Sequence, residues 1–356
     1  MTESPLAIIE DTGVPSGAES AHKVLVLVHG LAFQGTVFRP LLPYAQTHNA
    51  RVIVVNRREY PGSQPFTQDE RNTLLNAQGD GTSAAKDAQN FSAARADELL
   101  SLLEGIVEKG DVPRQSIILV GWSLAAVFMT SLLARPPTEA GRIDVGQYMR
   151  RVVLYDTGYQ ILGFPNPAPS LYNPFADPST APEEKGAAFF HYITGYYAHA
   201  IPHTPGIQVK DIIDGLHDRN PKKNTTFTPE ELATVLYPPP SDVAAGGADI
   251  LAFLAAEKHG VLAGAREGAL RGERWPHVEL RAIWGDASFW EGCVAGIEFG
   301  RLVHENAHAP ADGGIGRPAT VVRWNGSNHF AHWDHPERVL LGLLEDGVDD
   351  WAVVPS

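Results

Sequence analysis

The sequence predicts an α/β protein: a mostly parallel central sheet with helices on both faces and a helical segment inserted in it. Three observations carry this. Short β-branched runs recur along the chain, helical patterns separate them, and one stretch, 157–270, breaks the alternation. Strands alternating with helices give parallel sheets, whose functional groups sit in loops at the C-terminal strand ends.

The strands come in order. K-V-L-V-L-V (23–28) is a continuous apolar run, as expected of a strand buried on both faces. R-V-I-V-V-N (51–56), S-I-I-L-V-G (116–121), R-V-V-L-Y-D (151–156), E-L-R-A-I-W (279–284) and A-T-V-V-R-W (319–324) have the same character. Between them, 84–109 repeats apolar residues at helical spacing, with Leu99, Leu103, Ile106 and Val107 in one stripe. Residues 124–135, 291–306 and 336–345 are further expected helices. The exception, 157–270, opens with a proline-rich loop, and helical patterns follow at 182–200, near 228–237 and near 241–258. The division expected is therefore a core of 1–156 and 271–356, with 157–270 as a helical cap or lid.

Composition narrows the function. The 356 residues are 44% hydrophobic, enough for one large core, and the net charge is −14. Such a chain has no electrostatic reason to seek nucleic acid or an anionic membrane. No run reaches the ~18 apolar residues of a membrane span, and no signal peptide is expected at the start. Cys293 is the single cysteine, so no intrachain disulfide can form, which fits a reducing, cytoplasmic setting.

One serine stands out. I-L-V-G-W-S-L-A-A-V-F (118–128) places Ser123 between a strand and a helix. Burial alone would favour Ala or Val there. A strand–Ser–helix turn holds the hydroxyl above the sheet as a nucleophile, and the small Gly121 and Ala125 let strand and helix approach. The alternative is a serine that caps the helix. A nucleophilic serine needs a base, a group to orient that base, and two aimed N–H donors. V-L-V-H-G-L-A-F (26–33) ends a strand in His-Gly, so the expected donors are the backbones of Leu31 and Leu124. His29 is expected to be structural, hydrogen-bonded beneath the loop.

The last strand is followed by N-G-S-N-H-F-A-H-W-D-H-P-E, which presents His329 just past a short polar turn. Imidazole exchanges protons near neutral pH. His335 precedes Pro336 and suits a capping role. A metal site of His329, His332, Asp334 and His335 fits no tetrahedral template. The third member has two candidates. The loop after the next-to-last strand would carry its acid at position 288, which is Ser288, with Asp286 two residues early. The loop after the preceding strand ends in Asp156, beside the serine turn in a parallel sheet, and is favoured over Asp286.

The H-G-L loop (29–31), the G-W-S-L-A turn (121–125) and G-S-N-H (326–329) together resemble the α/β-hydrolase superfamily. N-R-R-E-Y-P-G-S (56–63) resembles a loop of the same superfamily, and L-Y-D-T-G-Y-Q-I-L-G-F-P resembles fungal members that act on acyl thioesters or natural-product intermediates. The resemblance implies an α/β-hydrolase fold, a Ser123–Asp156–His329 mechanism and no cofactor or metal. Several such members carry the acid after the earlier strand, as Asp156 does.

The reaction expected is hydrolysis of a small hydrophobic ester or thioester through an acyl-enzyme. The rivals are a C–C bond hydrolase or lyase on the same residues, and a non-catalytic binding protein of the same fold. Phe189, Phe190, Tyr192, Tyr196 and Tyr197 cluster in the inserted segment. On a continuous helix Phe189, Tyr192 and Tyr196 would share one face, either roofing an apolar pocket or forming the segment's own core.

Overall fold

The apolar runs become the middle of one sheet. A computed structural model describes residues 4–17, 21–137, 143–202, 206–242, 246–307, 316–347 and 351–352. In chain order come β1 (Ala7–Asp11), β2 (Lys23–Val28), β3 (Ala50–Asn56), α1 (Gln68–Asn76), α2 (Gly81–Glu108), β4 (Ile117–Trp122), α3 (Ala126–Ala134) and β5 (Met149–Tyr155). The inserted segment holds α4 (Lys185–Ile193), the two-residue strands β6 (Gly195–Tyr196) and β7 (Lys223–Asn224), α5 (Pro229–Val235), α6 (Ala248–Lys258) and α7 (Val261–Arg271). The chain returns through β8 (Glu279–Gly285), α8 (Trp290–Ala307), β9 (Ala319–Asn325), the single turn α9 (Ala331–Asp334), α10 (Pro336–Leu344) and β10 (Trp351–Ala352).

Among the described residues, eight strands form the sheet in the order β1-β3-β2-β4-β5-β8-β9-β10. Only β1 is antiparallel, pairing with β3 at one edge. The short β6 and β7 pair with each other elsewhere. Alternation across the strands feeds two apolar layers. Val24, Val26, Ile117 and Leu119 face a core that includes Leu99 and Leu103 of α2 and Met129 of α3. Leu25, Leu27, Ile118 and Val120 face the opposite core with Leu340 and Leu343 of α10. Each such side chain contributes roughly 1.5–3 kcal/mol by leaving water. This explains why continuous apolar runs, rather than alternating ones, marked these strands.

One expectation needs correction. The helix expected over 182–200 stops at Ile193. The Thr194 hydroxyl donates back to the Phe190 carbonyl at 2.8 Å, and Gly195 follows where a Cβ would lie 2.7 Å from side-chain atoms of Pro221 and Tyr197. The chain therefore turns extended, and Tyr196 shares no helix face with Phe189 and Tyr192. Within the segment expected as a cap, the last helix lies against the main core. Helix α7 packs along α3, with Gly268 so close that a Cβ there would lie 2.7 Å from the Ala134 Cβ, and Ala269 and Leu270 join the main core.

At the N-terminal ends of the strands, two buried arginines hold the stretch after α10. Arg151 Nη1 donates to the Glu345 carbonyl at 2.5 Å and Nη2 to Asp346 Oδ1 at 2.8 Å. Arg281 donates to the carbonyls of Glu345, Asp346 and Gly347 at 2.9, 3.2 and 3.0 Å. Among the described residues no helix is long and apolar enough to cross a membrane.

Candidate active site

At the opposite end of the sheet, β4, β5, β8 and β9 lie side by side, so the loops at their C-terminal ends converge. Strand β4 is buried along its whole length and delivers Ser123 into a left-handed backbone conformation, φ +55°. A non-glycine residue there costs on the order of 1–3 kcal/mol. The turn is tight: a Cβ at Gly121 would lie 2.5 Å from Met129 Cγ and 2.9 Å from the Ala125 carbonyl carbon. Glycine is thus required at position 121. The helix that follows has Ala125 at its N-cap with no side-chain capping bond, so Ser123 does not cap it. The loop after β2 presses on the serine, since a Cβ at Gly30 would lie 2.8 Å from Ser123 Cβ and 3.3 Å from its Oγ.

His29 is fully buried under that loop. Its Nδ1 pairs with the Gly30 carbonyl at 3.0 Å, and its Nε2 accepts the Arg57 backbone N–H at 3.1 Å. Burial and the Arg57 charge push its pKa well below the usual imidazole range. Both ring nitrogens are engaged, which leaves His29 a structural part.

His329 is also fully buried. Its Nδ1 donates to Asp156 Oδ2 at 2.7 Å, while Nε2 has no hydrogen-bond partner among the described residues. The ring lies between Trp122 and Phe289, with centroids 4.7 and 4.8 Å away, and Trp122 Nε1 donates to the His329 carbonyl at 3.1 Å. The preceding Asn328 anchors the turn: its amide donates to the Thr194 carbonyl at 3.0 Å and the Thr225 hydroxyl at 2.9 Å. No hydrogen bond closes between Ser123 and the imidazole. Such catalytic bonds commonly tighten only when substrate is bound.

Of the two candidate acids, only Asp156 meets the imidazole. It also accepts the Gly285 N–H on Oδ1 at 2.9 Å and the Ser288 hydroxyl on Oδ2 at 2.6 Å. Asp286 is occupied elsewhere. It takes Arg323 Nε and Nη2 at 3.1 and 3.0 Å and the Gly326 N–H at 2.7 Å, so it braces the turn that presents His329. Ser288, the position where a third-member acid was looked for, holds Asp156 instead. The signal was the serine itself, standing where an acid was sought. Its carbonyl is held in turn by His199 Nε2 at 2.7 Å, and burial lowers the His199 pKa to about 4.

His332 is buried beside Tyr155, its Nδ1 3.4 Å from the phenol oxygen, with its pKa well below normal through burial and the neighbouring His329. His335 occupies the N-cap position of α10 but makes no side-chain capping bond. Among the described residues no three His, Cys, Asp or Glu side chains gather as metal ligands would. Cys293 is buried and its thiol pKa is raised well above normal by burial and nearby carboxylates.

Leu31, Ser123, Leu124 and His329 line one chamber of about 900 Å³, within the size range of small-molecule sites. Phe189 and Tyr192 line it as well. Phe190 instead packs on Phe33 and Phe227, Tyr196 donates its hydroxyl to Asp334 at 2.5 Å, and Tyr197 stacks on His199. Two of the most exposed large apolar side chains, Phe175 and Leu254 at 44% and 43%, also line the chamber. Sequence reasoning missed the role of Ser288 and missed Phe289 and Glu291 altogether; the first two lie in the loop between β8 and α8 and Glu291 in the first turn of α8.

The model of the alpha/beta hydrolase family matches residues 25–340. No curated protein matches the chain in sequence. Among solved structures, a bromoperoxidase from Bacillus anthracis is 18% identical, with 95% of this chain and 94% of that chain covered and a TM-score of 0.47. An N-acyl homoserine lactone degrading enzyme is 15% identical, with 95% and 96% covered and a TM-score of 0.44. A thermophilic esterase from Thermogutta terrifontis is 17% identical, with 95% and 91% covered and a TM-score of 0.40.

Proposed function

The chain belongs to the alpha/beta hydrolase family, and from that premise we propose that it is a serine hydrolase cleaving a hydrophobic ester or thioester. One observation carries this reading: Asp156 and His329 are hydrogen-bonded in series, and the free Nε2 belongs to a residue that shares a chamber with Ser123.

In the reaction, Ser123 Oγ attacks the substrate carbonyl and His329 Nε2 takes its proton. Asp156 keeps Nδ1 protonated, so Nε2 is the basic nitrogen, and it stabilises the imidazolium that forms. The N–H groups of Leu31 and Leu124 receive the oxyanion. His329 then protonates the departing alcohol or thiol. Water attacks the acyl-enzyme with His329 again as base, releasing the acid and restoring Ser123. No cofactor enters these steps. The aromatic and aliphatic wall, with Phe175 and Leu254 exposed beside it, supports an apolar acyl group. The segment 157–270 supplies the cap over it.

A fluorophosphonate probe should label the wild type and fail to label Ser123→Ala. On a panel of acyl esters and thioesters, Ser123→Ala should lose roughly 10⁴–10⁶ in kcat. Turnover equal to wild type in that variant would rule the mechanism out, and activity confined to very small hydrophilic esters would count against the apolar acyl group.

A further inference from the structure

Among the described residues the chamber wall carries one buried carboxyl group that acyl transfer does not use. Glu291, in the first turn of α8, is 3% exposed yet lines the chamber. Its Oε2 accepts the Tyr192 hydroxyl, and its Oε1 accepts Asn173 Nδ2–H at 3.3 Å. The Asn173 amide is fixed in that sense, because its Oδ1 already accepts the backbone N–H groups of Phe175 and Ala176 at 2.9 and 3.3 Å. Tyr192 is fixed too: its ring packs edge-on to Tyr172 and Phe289. Gln160 lies on the same wall, and Gly158 lets it close in, since a Cβ at 158 would lie 2.9 Å from Gln160 Oε1 and 3.8 Å from Glu291 Cβ.

A buried acid in such a wall carries a desolvation cost. No arginine or lysine among the described residues forms an ion pair with it, and burial pushes its pKa up to about 8. An apolar residue would pack there more cheaply. What the acid adds is a hydrogen-bonding point on an otherwise largely apolar surface.

We propose that Glu291, oriented by Asn173 and Tyr192, recognises a hydroxyl or ketone oxygen carried on the substrate away from the bond that is cleaved. A neutral carboxyl offers one O–H donor and an acceptor oxygen, which together complement a hydroxyl, and the donor alone serves a ketone. An ammonium group is the poorer fit, because it would bury two charges with no further partner. This inference rests on the acyl-transfer reading of Ser123 and narrows it to oxygenated acyl substrates.

The test uses p-nitrophenyl esters of one medium-chain acid: unsubstituted, and with a hydroxyl, a ketone or an amine at successive carbons. The quantity read is the ratio of kcat/KM for each substituted ester to that for the unsubstituted one. Taken from a single preparation, this ratio is insensitive to partial unfolding. Wild type should favour a hydroxyl or ketone at one position by roughly 10–100-fold, the scale of one well-placed buried hydrogen bond. Glu291→Leu should bring that ratio close to one. Glu291→Gln, which keeps a donor and an acceptor, should retain most of it. A wild-type ratio near one along the whole series, a ratio unchanged in Glu291→Leu, or a preference for the amine would each overturn the proposal. Fluorophosphonate labelling separates the two levels: labelling and turnover with an unmoved ratio defeat this inference alone, whereas absence of both defeats the acyl-transfer reading and this inference with it.

Discussion

Two carboxyl groups are buried near the chamber, and their surroundings differ in kind. Asp156 is ringed by donors: an amide N–H, a hydroxyl and an imidazole N–H. Glu291 has aromatic rings beside it, the Tyr192 hydroxyl and the side-chain amides of Asn173 and Gln160 as donors, and no ion pair with a cation among the described residues. The first arrangement suits a group that holds and charges an imidazole. The second suits a group that stays neutral and meets a neutral ligand. Residue type does not separate these roles; the donors aimed at each acid do.

The contrast can be broken most decisively at the first acid. Asp156→Asn should lower kcat by roughly 10⁴ through loss of the imidazole tautomer and its charge stabilisation, measured on the best ester found. On the unsubstituted ester, Glu291→Gln should cost at least two orders of magnitude less. Comparable losses would mean that the two acids act alike.

The second acid can be read through stability. Glu291 ionises near its ordinary value of 4.5 in the unfolded chain and near 8 in the folded one. Between these values the folded state keeps a proton that the unfolded state has released. Its contribution is therefore complete below about pH 4.5 and is lost as pH rises through about 8. Relative to Glu291→Gln, wild type should lose on the order of a few kcal/mol across that window. Urea unfolding of both proteins at pH 5 and pH 8.5 measures this, and parallel curves would contradict it.

The smallest effect sharpens the account of Asp156. Ser288→Ala removes one donor to the carboxylate and should lower kcat by about ten- to a hundredfold, the cost of one hydrogen bond to a charged group. Stopped-flow or steady-state rates at saturating substrate report it. An unchanged kcat would show that Gly285 and His329 alone hold the acid.

These residues also show how far the chain could be read in advance. The six inner strands were legible because double-sided burial forces continuous apolar runs, as in residues 23–28 and 117–122. The edge strands β1 and β10 were not, since short edge pairings need no such run. The Ser123 turn was legible because sterics demand Gly121 and Gly30 locally. The choice between Asp156 and Asp286 stayed open, because it depends on which strands are neighbours. Placing β5 next to β8 brings Gly285 and Ser288 onto Asp156, whereas Arg323 of β9 captures Asp286. Glu291 had no local signature at all, as its character comes from Asn173 and Tyr192, far away in the chain. The end of α4 is set by Thr194 and Gly195, whose close contacts with Phe190, Pro221 and Tyr197 the helical pattern over 182–200 does not reveal.

The arginine pair at the far end of the sheet has a practical consequence. Arg151 and Arg281 share the Glu279 carboxylate and draw their remaining acceptors largely from residues 345–347, so trimming the polypeptide back to Leu344 would leave two buried guanidinium groups with several unmet N–H donors. An exopeptidase working inward from the carboxyl end should therefore begin to lower the stability of the sheet once it passes Gly347.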